Sequence, residues 1–286
     1  MIPAGPHGGD GARLAAALGV DPAAVLDLSA SLNPVAPDAG EVVGKHLDAL
    51  RRYPDPTVAT AALARAMGVD PDRLLVTNGG SEAIALVADA LGGRVEEPDF
   101  GLYPRGSGPL WRSNPHNPTG RLASGSADIW DEAFYPLATG RWTSGEPLVV
   151  GSLTKLLACP GLRVGYVLGA PRLRQPAWSV NGLACSALPD LLEAVDLPAW
   201  AAAIAALRAG LVDVLRDAGF SPEPSDANFV LVRAPGLRAR LAPHGVLVRD
   251  CASFGLPDHV RVAVPDAAGL ARLEEALTLE NPCAAR

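Results

Sequence analysis

The sequence predicts an α/β protein of one large and one smaller domain, and three observations carry that reading. The chain has 286 residues, of which 49% are hydrophobic, enough to bury a sizeable core and divide it between two units. Short apolar runs in the first 170 residues are separated by glycine turns and helical stretches: Arg73 to Thr77 reads as a strand, and Asn78-Gly79-Gly80-Ser81-Glu82 opens a helix running to about Leu91. Toward the C-terminus, the strands Asn228 to Arg233, Val246 to Arg249 and Val260 to Val264, with helices near Gly236 and Asp266, make a small α+β unit.

The elements follow in order. Residues through His7-Gly8-Gly9-Asp10 are too glycine-rich for a helix, and Asp10 is the expected N-cap of a short helix ending near Gly19. A strand from Val25 to Ser29 leads into the turn Ser31-Leu32-Asn33-Pro34. Arg51-Arg52-Tyr53-Pro54-Asp55-Pro56 closes the next helix, because each proline biases its predecessor away from helical geometry. Further strands are expected at Ala127 to Trp130, Leu148 to Gly151 and Val164 to Leu168. From about Leu197 to Gly219 runs an alanine-rich helix with Ile204, Leu207, Leu211, Val212 and Leu215 at helical spacing, a pattern that core packing explains fully.

Composition excludes several functions. A formal net charge of −7 argues against a nucleic-acid partner, so any bound anion must be met by local charge. The four cysteines, Cys159, Cys185, Cys251 and Cys283, have no paired spacing that suggests zinc, a redox motif or a disulfide framework, and no metal site is expected. No basic-then-apolar leader opens the sequence, and each apolar run reads as interrupted before membrane-spanning length, so a cytoplasmic location without a membrane partner is expected.

Four places carry chemistry. The strand, glycine turn and helix start at residues 73–82 make an anion site, since free backbone amides and the helix dipole point at the turn. Lys155 sits in an apolar run between a small-residue turn and Pro160-Gly161, where burial would lower its pKa and free the amine to attack a carbonyl; from this stretch alone, an ordinary loop lysine fits as well. The prolines of Asn114-Pro115-His116-Asn117-Pro118-Thr119-Gly120 make a rigid loop that fixes the Asn117 amide. Asp131 is a carboxylate at a strand end.

Ser152-x-x-Lys155, followed by Pro160-Gly161-Leu162-Arg163-x-Gly165-Tyr166, resembles the pyridoxal-phosphate site of fold-type I aminotransferases. The ends of the chain, including Trp178-Ser179-Val180-Asn181, are similar to the threonine-phosphate decarboxylase and cobalamin-biosynthesis aminotransferase-like branch. The resemblance implies a large domain with a mixed, mostly parallel sheet. Residues 1–50 would form an arm and part of the small domain, 51–170 the cofactor domain, and 171–286 the C-terminal small domain.

It also implies roles. Lys155 would bind the cofactor, with Asp131 keeping its pyridine nitrogen protonated and Tyr103 stacked on its ring. Asn117 would donate to its phenolic oxygen, while Gly80, Ser81, Glu82, Ser152 and Arg163 would surround the phosphate. Tyr53 would reach the phosphate of a neighbouring subunit, which implies a homodimer. His7, Asn33, Arg249 and Arg261 would hold an amino-acid substrate, although His7 also reads as a loose-arm residue and either arginine alone as an exposed salt-bridge partner.

Two departures stand out. Only Pro104 to Ser113 separate Tyr103 from the asparagine loop, and the connection from Gly120 to Asp131 is also short, so the large sheet should be trimmed on one side. Phe134 stands where many relatives carry a tyrosine, and Tyr135, read as its neighbour on a strand, would point to the opposite face. The expected activity is decarboxylation of L-threonine O-3-phosphate or a similar phosphorylated amino acid. The alternatives are an aminotransferase like those acting on histidinol phosphate, and a pyridoxal-phosphate-binding protein without turnover.

Overall fold

A computed structural model describes residues 5, 7–169 and 172–280, so Cys283 lies outside the described residues. Ten strands form two sheets: β1 (Leu26–Leu28), β2 (Leu74–Thr77), β3 (Arg94–Val95), β4 (Leu110–Ser113), β5 (Ile129–Asp131), β6 (Val149–Ser152), β7 (Gly165–Leu168), β8 (Phe229–Arg233), β9 (Val246–Asp250) and β10 (His259–Ala263). The large sheet has the order β2-β7-β6-β5-β4-β3. Strands β3 to β6 pair in parallel, and β7 runs antiparallel to both its neighbours. Parallel strands are covered on both faces and read as continuous apolar runs, and β5, β6 and β7 are buried along their whole lengths.

The small sheet has the order β1-β9-β10-β8, with β1 parallel to β9 and the other pairs antiparallel. Val230, Val232, Val246, Val248, Val260 and Val262 pack its core together with Leu211, Leu215 and Leu273 of the covering helices.

The trimming expected from the sequence is present. No helix occurs between Phe100 and Ser113 or between Gly120 and Ile129. The outer edge of the large sheet is instead the two-residue β3, beside β4, whose fully buried Trp111 donates its indole N–H to Gly92 O at 3.1 Å.

Three details differ from expectation. Helix Gly182–Glu193, capped by Asn181 on Ala184 N, packs in the same cluster as Leu63, Leu153 and Tyr166, so the core of the large unit extends past the expected boundary at 171. Asp10 stands at the expected N-cap of helix Gly11–Leu18 but makes no side-chain cap; its carboxylate accepts from Gly5 N and pairs with Arg238. Tyr135 is the first residue of helix Tyr135–Thr139, with Phe134 at its N-cap, so the two are not neighbours on a strand.

Helix Leu197–Asp217 joins the two units. It is long and apolar enough, by length and composition, to cross a membrane, contrary to the expectation that every apolar run stops short. Its buried residues lie in two cores: Leu197, Trp200 and Ile204 with the large sheet, and Leu211 and Leu215 with the small one.

The arm before Gly11 is tied to the small sheet by a buried ion pair. Arg238 donates to Asp10 Oδ2 at 3.0 Å and to Val248 O at 2.9 Å, and Asp10 is 7% exposed. Breaking such a pair leaves a buried charge without compensation. Arg238→Leu is expected to destabilise the protein by about 3–5 kcal/mol, read as a loss in urea-unfolding free energy.

Candidate active site

One cavity of about 290 Å³ opens between the two units and collects most of the residues singled out in the sequence. Its floor is the carboxyl end of β5 and β6, which delivers Asp131, Ser152 and Lys155. Lys155 lies in the turn of helix Leu153–Leu156 directly after β6, half-buried in the cavity wall, with its ammonium 5.4 Å from the centre of the Phe134 ring. Burial lowers its pKa to about 8, opposed by the Asp131 carboxylate and reinforced by Arg261 and Arg163.

Asp131 is held from two sides. Tyr103 donates its hydroxyl to Oδ2 at 2.7 Å and Ala133 N donates to Oδ1 at 2.8 Å. Burial raises its pKa, while the Tyr103 and Ala133 hydrogen bonds and the charge of Lys155 pull the other way.

One end of the cavity is built on glycines. Gly79 has φ 80°, and a Cβ there would collide with the Arg163 guanidinium. A Cβ on Gly80 would lie 3.0 Å from Cβ of Ser152, and one on Gly165 would run into the Gly79–Gly80 peptide. Gly80 and Ser81 therefore start helix Gly80–Leu91 with their amides at the cavity, closed in by Ser152 and Arg163.

The opposite wall comes from the small sheet. Arg249 on β9 and Arg261 on β10 face each other directly in the antiparallel register, 3% and 7% exposed. Arg261 donates to Asn117 Oδ1 at 2.5 Å, sits over the Phe229 ring and leaves Nε buried without a protein partner. Burial brings its pKa down to about 10. Arg249 donates to Gly5 O at 2.7 Å and Ser253 Oγ at 2.8 Å. His7, Gly8 and Gly9 close the mouth, with the His7 ring 5.7 Å from Phe100; burial and Arg249 together lower the His7 pKa.

Four expected site residues lie elsewhere. Tyr103 is 3% exposed, stacked on Trp111 behind the wall, because its hydroxyl is drawn inward by Asp131; Phe100, three residues earlier, lines the cavity together with Phe134 and Phe254. Asn33 is buried under the lysine turn, donating to Leu156 O while its backbone N–H holds Lys155 O, and its neighbours Ser31 and Leu32 line the cavity. Glu82 points back along its helix and accepts from Asn78 N and Gln175. Tyr53 is 79% exposed, its ring 4.7 Å from that of Trp178. Thr154, which no sequence signal marked, lines the cavity with Oγ1 buried and unpartnered.

The donor set fits pyridoxal phosphate: a lysine near neutrality, a carboxylate beside it, a glycine-lined anion cradle with an arginine, and two buried polar atoms, Thr154 Oγ1 and Arg261 Nε, that await a partner. No group of three or more metal-ligating side chains occurs among the described residues. Fold and cavity together define a pyridoxal-phosphate enzyme of fold type I.

The sequence model of aminotransferase class I and II matches residues 126–277, and the chain belongs to that family. It is 30% identical to the threonine-phosphate decarboxylase of Salmonella typhimurium, over 95% of each chain. It is 29% identical to histidinol-phosphate aminotransferase 2 of Pseudomonas fluorescens, over 93% of this chain and 91% of the relative. That second alignment runs over 342 positions against a chain of 286 residues, so this chain carries gaps, in keeping with the trimmed sheet. Among solved structures, the histidinol-phosphate aminotransferase of Sinorhizobium meliloti in complex with pyridoxal-5'-phosphate shares the fold with a TM-score of 0.81 and 18% identity, covering 98% of this chain and 95% of the other.

Two outcomes are expected. Lys155→Ala folds but takes up no lysine-linked cofactor, read as loss of the yellow visible absorbance after loading and gel filtration. Since neutral amine accumulates as pH rises through the Lys155 pKa of about 8, cofactor uptake by the apoprotein accelerates roughly tenfold per pH unit below that value and levels off above it. Stopped-flow absorbance measures this; a flat profile from pH 6 to 9 contradicts it.

Proposed function

We propose that this pyridoxal-phosphate enzyme decarboxylates a phosphorylated amino acid, with L-threonine O-3-phosphate as the leading candidate. The observation that carries the reading is the buried cross-strand pair Arg249 and Arg261. Like charges directly opposite on one sheet face destabilise it. Keeping both there, beside His7, makes sense where a substrate brings two anionic groups. Arg163 faces the phosphate cradle instead, and Asp131 is the single carboxylate among the residues lining the cavity.

Each side chain then has a task. Gly80, Ser81, Ser152 and Arg163 would hold the cofactor phosphate, and Phe100, in place of Tyr103, would supply an aromatic wall. Tyr103 holds Asp131, which would keep the ring nitrogen protonated. When bound, pyridoxal phosphate supplies an electron sink for the bond broken at the substrate's amine-bearing carbon. Lys155 provides the amine that anchors the group and a base that moves a proton at the substrate carbon. Arg261 and Arg249 grip the substrate carboxylate and His7 the distal phosphate, and fixing both ends decides which bond is presented for cleavage.

Aminotransfer is the second reading, favoured by relatives such as the Pseudomonas fluorescens histidinol-phosphate aminotransferase. Incubation with O-phospho-L-threonine, and separately with histidinol phosphate plus 2-oxoglutarate, distinguishes them. Carbon dioxide released from O-phospho-L-threonine supports decarboxylation; glutamate formed from 2-oxoglutarate and histidinol phosphate, with no carbon dioxide from O-phospho-L-threonine, makes the protein an aminotransferase. His7→Ala is expected to lower kcat/KM for the phosphorylated substrate roughly tenfold to a hundredfold, the effect of one charge-assisted contact, and to leave L-threonine nearly unaffected.

A homodimer belongs to the same proposal. Leu47, Leu50, Tyr53, Val58 and Trp178 are all exposed apolar groups, and Tyr53 does not line the cavity of its own chain. Sedimentation is expected to give a dimer, and Tyr53→Phe to weaken cofactor affinity by about 1.5–3 kcal/mol, the worth of a hydrogen bond to a charged group. A fully active monomer would rule it out.

A further inference from the structure

The loop between β3 and β4 has lost the secondary structure that would otherwise hold it, yet it delivers Phe100 to the cavity wall. Two charged side chains do the holding. From outside, Arg105 reaches Glu97 Oε1 at 2.6 Å and the carbonyls of Tyr103 at 2.9 Å, Gly101 and Asp99 at 3.3 Å and Phe100 at 3.4 Å. From inside, Asp99 is 1% exposed and its Oδ1 accepts from Phe100 N at 2.8 Å and from Ser113 Oγ at 2.7 Å.

The second of these bonds leads further. A serine hydroxyl has one proton, and Ser113 directs it to Asp99, which leaves its oxygen to accept Asn117 N at 2.8 Å. Asn117 in turn presents Oδ1 to Arg261. A continuous line of hydrogen bonds thus runs from the large-sheet loop through β4 and the asparagine loop to an arginine of the small sheet.

We propose that Asp99 is a positioning residue: through Ser113 and Asn117 it sets the guanidinium of Arg261 at the angle needed for a substrate carboxylate, and through Phe100 it sets the cavity wall. In the trimmed domain, this buried carboxylate does what packing of a helix would otherwise do. Burial pushes its carboxyl up to about 6, opposed by the Ser113 and Phe100 bonds and by neighbouring His116. The His116 ring bonds Pro98 O at 2.7 Å and Thr119 Oγ1 at 2.8 Å, so it braces the loop. Asp99 touches neither cofactor nor substrate, and its effect reaches them only through this line.

The proposal rests on Arg261 meeting a carboxylate, and the test separates the two ideas. Loaded wild-type, Asp99→Leu, Asp99→Asn and Ser113→Ala proteins are titrated, by visible absorbance of the bound cofactor, with O-phospho-L-serine and with O-phosphoethanolamine, which differ only in the carboxylate. Asp99→Leu and Ser113→Ala are expected to weaken O-phospho-L-serine by roughly ten- to thirtyfold and O-phosphoethanolamine by less than about threefold, as for one misplaced charge-assisted bond. Asp99→Asn stays near wild type, because an amide oxygen accepts the same two bonds. Equal weakening of both probes, or no weakening in Ser113→Ala, overturns the proposal. Ser113→Ala decides alone if circular dichroism shows Asp99→Leu unfolded. If the wild type binds neither probe, the phosphate reading has failed, and L-alanine against ethylamine carries the same comparison with the same expected split.

Discussion

Burial of the Lys155 amine opposite a single carboxylate is the constraint on which the rest of the site depends. An ammonium taken out of water loses far more than any one partner returns, so the protein meets it in two ways. Burial moves its pKa to about 8, and Asp131 opposes the shift. Asp131 must then stay oriented, which explains why Tyr103 is turned inward to it and why Ala133 closes the other oxygen. The lysine turn is fixed from below by Asn33, whose N–H and amide hold Lys155 O and Leu156 O.

The same logic spreads across the boundary between the two sheets. Asn228 in the small unit donates to Ser31 O and Leu32 O, bringing that turn to the cavity. Arg261 bonds Asn117 from the other side. The cavity is thus a seam stitched by hydrogen bonds from both units, and its cations are tolerated only because anions belong there.

The fold was largely legible in the sequence because its strands are apolar runs ended by glycine, as at Leu74–Thr77 and Val149–Ser152. Strands β3 and β4, of two and four residues, gave no periodicity to read, and Gly182–Glu193 was hidden by its interior Pro189. In the site, motifs located the segments well but not the side chain that faces inward. Within 99–103 the loop has no regular period, so nothing in its order distinguishes Phe100 from Tyr103. Asn33 and Glu82 sit in the expected turns, yet Leu156 O and Val35 N claim the Asn33 amide, and Asn78 N and Gln175 claim the Glu82 carboxylate. Asp99 carried no signal at all, since its partners Ser113 and Asn117 meet it only once the loop has folded.

Helix Leu197–Asp217 shares its buried face between both cores. At 1.5 Å per residue its 21 residues make a strut about 30 Å long. A strut anchored at both ends transmits displacement along its length, so the spacing between the lysine floor and the arginine wall is fixed by a rigid member and not by a pliant linker. The two units must therefore mature together: a nascent chain that has completed the large sheet but not yet β8 to β10 holds one end of the strut and none of the arginine wall, and the pocket comes into being only when the last strands lock the other end.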